Sequence, residues 1–208
     1  MKTVYINKHF FLGKIFFDCV ISGVLIFILS PLFLLISLLI KIDDPKSPIL
    51  FKQMRIGKNE VPFTMFKFRT MKPNAENQLK ELLDYNEIEG HMFKIKKDPR
   101  VTKIGFYLRK YSLDELPQLV NVLIGDMSLI GPRPSLKRET DYYTSYARQR
   151  FYVKPGCSGL WQVNGRNLLS FDEMIELDLE YIGQMSMYQD LKIFFKTIYV
   201  VITGQGAF

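Results

Sequence analysis

Two adjacent carboxylates, Asp114 and Glu115, and a third at Asp178 are the groups in this sequence best suited to chemistry. A carboxylate can attack phosphorus, carry a proton or ligate a divalent cation. The adjacent pair lies in Ser112-Leu-Asp-Glu-Leu-Pro-Gln-Leu119. Ser112 followed three residues later by Glu115 has the spacing of a capping box, the plain structural explanation of the acidic pair. Pro117 complicates it. Five residues past the cap a proline is no longer tolerated freely, so either the helix starts later or its first turn is distorted. Spacing alone leaves both readings open.

Asp178 is the sharper anomaly. Phe171, Met174, Ile175, Asp178, Tyr181, Ile182 and Met185 fall on one helical stripe with the carboxylate at its centre. A buried carboxylate is strongly unfavourable unless paired or metal-bound, so Asp178 is either half of an internal ion pair or part of a functional site.

Several cations could meet an anionic substrate. Arg109 closes a helical pattern running from Thr102 to Tyr111. Arg133 is held between Pro132 and Pro134 in the loop 125–134, which limits its backbone freedom and suits bidentate phosphate recognition; a structural salt bridge is the alternative. Arg166 ends a Gly-rich loop, 155–167, that contains Trp161, the only tryptophan, and matches neither dinucleotide nor P-loop spacing. Arg55, Lys67 and Arg69 are interleaved with aromatics in 47–71, which reads as two short strands around a turn at Gly57-Lys58-Asn59. That hairpin offers either a solvated face or a basic surface facing phosphates.

The elements that must carry these groups begin with an apolar run. Val20 to Ile40 holds 21 residues without a charge, about 30 Å as a helix and enough to cross a bilayer. It is too long for a signal peptide and no small-residue cleavage site follows. Pro31 at its middle cannot bond the Phe27 carbonyl, and Ser30 could satisfy part of the freed backbone, so the pair suits a bend within lipid. Lys2, Lys8 and Lys14 precede the run, and Lys41, Lys46, Lys52, Arg55 and Lys58 follow it. Basic flanks on both sides conflict with a simple crossing and favour a re-entrant helix that returns to the cytoplasmic side. A surface helix is expected over 74–90, and a buried or interfacial helix over 191–202. The chain is 48% apolar and 24% charged, which excludes disorder. A net charge of +7 calls for an anionic partner. Cys19 and Cys157 form neither a disulfide nor a zinc pattern by position.

Taken in order, these motifs resemble those of the small monotopic phosphoglycosyl transferases, the bacterial sugar transferase family. The matching stretches are the apolar helix with Ser30-Pro31, Phe66-Lys-Phe-Arg-Thr-Met71, Leu108-Arg109, Ser112-Leu-Asp-Glu-Leu116, Gly125-Asp-Met-Ser128, Gly131-Pro-Arg-Pro134, Pro155-Gly156, Gln162-Val-Asn-Gly-Arg166 and Glu176-Leu-Asp178. They cover nearly the whole chain and, against them, the capping explanation of Asp114-Glu115 recedes. The resemblance implies an α+β, mainly helical, monotopic membrane protein with interfacial helices and a small β-hairpin. Residues 1–45 would form a re-entrant anchor bent at Ser30-Pro31, and 46–208 a cytoplasmic catalytic domain on the inner membrane of a bacterium. It implies transfer of a sugar-1-phosphate from a UDP-sugar to undecaprenyl phosphate with Mg²⁺, releasing UMP, as the first membrane step of surface glycoconjugate synthesis. By the same resemblance Asp114 is the nucleophile and a metal ligand, Glu115 its partner and Asp178 a further essential carboxylate. Arg109, Arg133, Lys67, Arg69 and Arg166 would handle substrate. Arg69 stands where some members carry Lys, which keeps the charge and alters the hydrogen-bond geometry. The chain looks like the minimal catalytic form, without extra membrane helices, and a homodimer is among the expected assemblies.

The chemistry explains why such parts belong together. A carboxylate attacking a diphosphate meets like charge, which metal and arginine offset. The lipid phosphate lies at headgroup level, so basic flanks and an apolar anchor account for the positive charge without nucleic acid. Two rivals remain: a membrane-tethered binding module for anionic lipid or nucleic acid, and a membrane phosphatase acting through an aspartyl-phosphate. UMP release from UDP-sugars separates the first from a transferase, and phosphate release without sugar transfer would mark the second.

Overall fold

The computed structural model describes residues 8–75, 77, 78, 82, 95, 98–165 and 169–203 of the 208. The surface helix expected over 74–90 lies almost wholly outside the described residues, as does Arg166. What is described is mainly helical, with two small two-stranded sheets.

Helix α1, Lys8–Asp43, runs through Pro31 without a break. At 36 residues it is about 54 Å long, well beyond the ~30 Å of a hydrocarbon core. Ser30 Oγ donates to the Phe27 carbonyl at 2.8 Å, supplying the hydrogen bond that the proline withholds. One face of α1 packs on the rest of the chain along almost its whole length. Phe11, Phe17, Ile21, Leu25 and Ile26 join the main core, and Leu32, Phe33, Ile36 and Ile40 join a second cluster with Phe68, Leu108, Leu113 and Leu116. The opposite face leaves Phe16, Phe27, Ile28, Leu34 and Leu38 open. Lys14, counted from sequence as a flanking charge, is instead buried and bonds Asp190 at 2.6 Å.

The hairpin forms where alternation predicts it. Strands β1, Leu50–Ile56, and β2, Pro62–Phe68, pair antiparallel from Leu50 opposite Phe68 to Ile56 opposite Pro62. Helix α2, Lys103–Lys110, starts at Thr102, whose side chain accepts from the Gly105 amide at 3.0 Å. Helix α3 is Gln118–Leu123. The stretches expected as plain loops hold more structure: β3, Ser128–Ile130, pairs in parallel with β4, Gly156–Ser158. Strands of three residues carry no readable periodicity, and a Cβ on Gly156 would fall 2.1 Å from the Gly131 amide nitrogen, so the pairing needs both glycines. Between them lie α4, Lys137–Thr140, and a 3₁₀ turn, Ala147–Tyr152, followed after β4 by α5, Leu160–Val163.

Helix α6, Phe171–Gly183, opens on a capping box between Ser170 and Glu173 and buries Met174, Ile175, Asp178, Tyr181 and Ile182, the predicted stripe. Helix α7, Met187–Thr203, completes the core with Ile193 while Phe195, Ile198, Tyr199 and Ile202 stay exposed. Met65, Leu119, Val122, Met127, Leu129 and Tyr181 meet the inward face of α1 at the centre.

Candidate active site

After α2 the chain reverses at Ser112, which adopts the left-handed conformation at φ 52° and ψ 23°. Such a backbone is strained for a residue other than glycine and forbids the extended geometry of an N-cap. Ser112 accordingly makes no capping bond; a 3₁₀ turn, Leu113–Glu115, follows, and α3 begins only after Pro117. The proline now stands where a first turn accepts it. The later-start alternative read from Pro117 is therefore the one realised, and the acidic pair is left for other partners.

Three contacts seat that turn. Leu113 and Leu116 pack beside Ile36 and Ile40 of α1, which holds the acidic turn against the apolar helix. Asn121, fully buried on α3, accepts from the Phe66 amide at 2.9 Å and donates to the Thr64 carbonyl at 2.7 Å. It grips β2 as a strand partner would, setting Lys67 opposite the turn. Lys67 Nζ then donates to Glu115 Oε1 at 2.6 Å.

Asp114 itself is 8% exposed. Burial pushes its carboxyl up to about 6; Lys67 and Arg109 pull it down, and the charge on Glu115 pushes it further up. Arg109 reaches the cluster because α2 lies hard against the strand end, its Nε donating to Thr70 Oγ1 at 2.9 Å. A Cβ on Gly105 would sit 2.1 Å from the Thr70 carbonyl oxygen, so this approach depends on glycine. The result is a buried carboxylate with a raised proton affinity, under the influence of two cations, on a turn packed against α1.

A second group of charges adjoins the first. Arg133 is about a quarter exposed and meets Glu139 at 3.5 Å. Asp178, with no exposure at all, is ion-paired with Arg150. The same guanidinium donates to Tyr143 Oη at 2.6 Å, to Ser135 Oγ at 3.3 Å and to the Arg133 carbonyl at 3.2 Å. Burial pushes the Asp178 carboxyl up to about 6 against the pull of Arg150 and a weaker one from the Arg133 backbone amide. Arg55 is buried on β1 with its N–H groups on Gln53 Oε1 and, at 3.0 Å, on the Pro134 carbonyl. Among the described residues no carboxylate lies within ion-pair distance of Arg55. Burial and the charge of Arg133 lower its proton affinity to about 9, while Glu139 and Glu115 raise it. Arg55 thus feels both groups and joins them.

The structure therefore brings Asp114, Glu115, Lys67 and Arg109 together, with Arg133 and Asp178 in the adjoining group. Arg69 points elsewhere, its Nε donating to the Pro48 carbonyl at 3.0 Å. Asn121, Glu139 and Arg150 were missed from sequence, and Arg55 was seen only as one of several basic residues on a hairpin. Their spacing carries no site signal, and bonds that tie three of them into the site reach far along the chain: Arg55 to Pro134, Asn121 to Phe66 and Arg150 to Asp178. Among the described residues no three His, Cys, Asp or Glu side chains converge as a metal cage. A hard divalent cation shared with substrate phosphates needs only one or two carboxylates, and Asp114 and Glu115, neighbours on one turn, supply that number.

Comparison with known proteins bears on this arrangement. The family model described as bacterial sugar transferase matches residues 9–204. The galactosyl transferase CpsE of Streptococcus agalactiae is 45% identical over 197 residues, covering 94% of this chain and 43% of that protein. The undecaprenyl-phosphate galactose phosphotransferase of Salmonella typhimurium is 41% identical over 196 residues, covering 92% and 41%. The exopolysaccharide production protein ExoY of Rhizobium meliloti is 40% identical over 201 residues, covering 95% and 88%. The chain spans about two fifths of the first two relatives and most of the third.

Proposed function

Since the chain belongs to the bacterial sugar transferase family, we propose that it moves a sugar-1-phosphate from a UDP-sugar to undecaprenyl phosphate through a covalent intermediate on Asp114. In the first step a carboxylate oxygen of Asp114 forms a bond to the phosphorus that bears the sugar. The bond from that phosphorus to the bridging oxygen breaks, and the electron pair leaves with UMP. In the second step an oxygen of undecaprenyl phosphate attacks the same phosphorus, and the acyl-phosphate bond returns its electrons to Asp114. Lys67 and Arg109 offset the charge that gathers as carboxylate and diphosphate meet, and Arg133 holds the phosphates of the donor. Mg²⁺, held by Asp114 with Glu115 beside it, would neutralise phosphoryl oxygens.

The observation that carries this reading is the placement of a buried, cation-flanked aspartate on a turn packed against α1. That helix is long and apolar enough to cross a membrane. Its first half packs in one cluster and its second half in another on the same body of the chain. That shared packing supports the reading in which both ends lie on one side of the bilayer, as a re-entrant anchor bent at Ser30-Pro31 would place them, with the catalytic part at the cytoplasmic face of a bacterial inner membrane. Exposed Phe106 and Tyr107 on α2, and Phe195 and Tyr199 on α7, suit an interfacial position.

Incubation of membranes carrying the protein with UDP-sugar labelled in the sugar, without acceptor, tests the proposal. Label should remain on the wild-type chain with stoichiometric UMP release, and addition of undecaprenyl phosphate should discharge it into lipid. Asp114→Asn should fold, stay in the membrane and take no label; substantial transfer by that variant removes Asp114 from the nucleophile role.

A further inference from the structure

Asp178 has the proton affinity of an acid–base group, yet its surroundings describe another task. The carboxylate is completely buried, one oxygen is committed to Arg150, and the same guanidinium also bonds the Arg133 carbonyl. Its second oxygen makes no hydrogen bond among the described residues, and the Arg133 backbone amide draws on the carboxyl group more weakly than Arg150 does. Every carbonyl along that segment is held. Arg150 bonds the Arg133 carbonyl, Arg55 bonds the Pro134 carbonyl from the opposite side, and the Ile56 amide bonds the Ser135 carbonyl at 2.9 Å. Arg150 also bonds the Ser135 and Tyr143 hydroxyls, which bond each other at 2.8 Å. The two prolines remove torsional freedom, and the straps remove what is left. Only the Arg133 guanidinium emerges toward solvent.

We propose that Asp178 and Arg150, with Arg55 on the far side, are positioning residues that fix the Pro132-Arg133-Pro134 segment, and through it the Arg133 guanidinium on the phosphates of the donor, with no proton exchanged between Asp178 and substrate. The inference rests on the transferase reading above. A guanidinium recognises phosphate bidentately only when its plane is set, so loosening the strap weakens donor binding before it touches bond making.

A double-mutant cycle tests it, read as UMP formation from a UDP-sugar with undecaprenyl phosphate. Arg133→Ala should raise KM for the donor about ten- to a hundredfold, the worth of a charged bidentate contact. Asp178→Asn should raise it by a similar factor with a smaller fall in kcat. The double variant should be no worse than Arg133→Ala alone, because the strap then has nothing to position. The acid limb of kcat/KM should persist in Asp178→Asn. Factors that multiply across the cycle, or loss of that limb, overturn the proposal. Should the buried, unpaired Arg150 unfold Asp178→Asn, Arg55→Lys replaces it in the same cycle: it keeps the charge and loses the planar fork, and multiplication with Arg133→Ala again overturns the inference. A wild-type chain that forms no UMP would refute the transferase reading itself, a result distinct from multiplying factors in an active enzyme.

Discussion

Replacing Lys67 with methionine should move the acid limb of the pH profile upward, because this lysine is the strongest influence keeping Asp114 ionised. In the wild type, burial sets the carboxyl near 6, so adduct formation should rise with pH through that value. A nearby opposite charge is worth roughly one to three units, and removing Lys67 also takes from Glu115, next to Asp114 in sequence, its 2.6 Å ion-pair partner. Lys67 is 21% exposed, so solvent trims the effect and about one unit is expected, or ~1.4 kcal/mol. With a limb moved from about 6 to about 7, the ionised fraction falls about tenfold at pH 5, about threefold at pH 6.5 and hardly at all at pH 8. The assay is the rate of label transfer from UDP-sugar to protein, under single-turnover conditions, from pH 5 to 9. Glu115→Gln should shift the limb the other way, since it removes a like charge. The positions of the limbs are compared, and the amplitudes, which also carry losses in binding, are set aside. An unmoved limb in Lys67→Met, or shifts of the same sign in both variants, would refute the electrostatic account.

Other outcomes follow from the same geometry. Because Asp114 and Asp178 are both raised in the folded state, the stability they contribute is fully present below about pH 4 and is lost as pH rises through about 6; Asp114→Asn should flatten part of that slope in thermal melts. Asn121→Ala leaves the Phe66 amide and Thr64 carbonyl without their buried partner and should lower stability by about 2–3 kcal/mol in denaturant titrations. Gly105→Ala pushes α2 off the strand end and should reduce both folded yield and the rate of adduct formation, whereas Gly13→Ala, with open space around it, should do neither. Single cysteines placed at Lys8 and Lys46, with Cys19 and Cys157 replaced by serine, should both react with a membrane-impermeant thiol reagent only from the cytoplasmic side; labelling of one from the periplasm would refute the re-entrant anchor.

Much of the fold was legible in local pattern. The apolar run, the hairpin around Gly57, the stripe of α6 and the helical pattern of α2 follow from periodicity, which acts over a few residues. The acidic pair and the proline-bracketed arginine were legible as chemistry for the same reason: their types and neighbours restrict what they can do. The parallel pairing of β3 with β4 was not, because three-residue strands joined through glycines have no period and their hydrogen bonds span almost thirty positions. Nor was the left-handed turn at Ser112, where local spacing favours a capping box and packing of Leu113 and Leu116 on α1 overrides it.

From its residues alone this chain was committed to a long apolar helix, a net positive charge and a small set of carboxylates and guanidiniums. Composition and periodicity settle such matters because hydrophobicity and charge belong to each side chain wherever it sits. Which carboxylate stands between cations, and which is locked behind an arginine, was decided only in three dimensions. A proton affinity depends on burial and on nearby charges, and those charges, Lys67 for Asp114 and Arg150 for Asp178, come from distant parts of the chain.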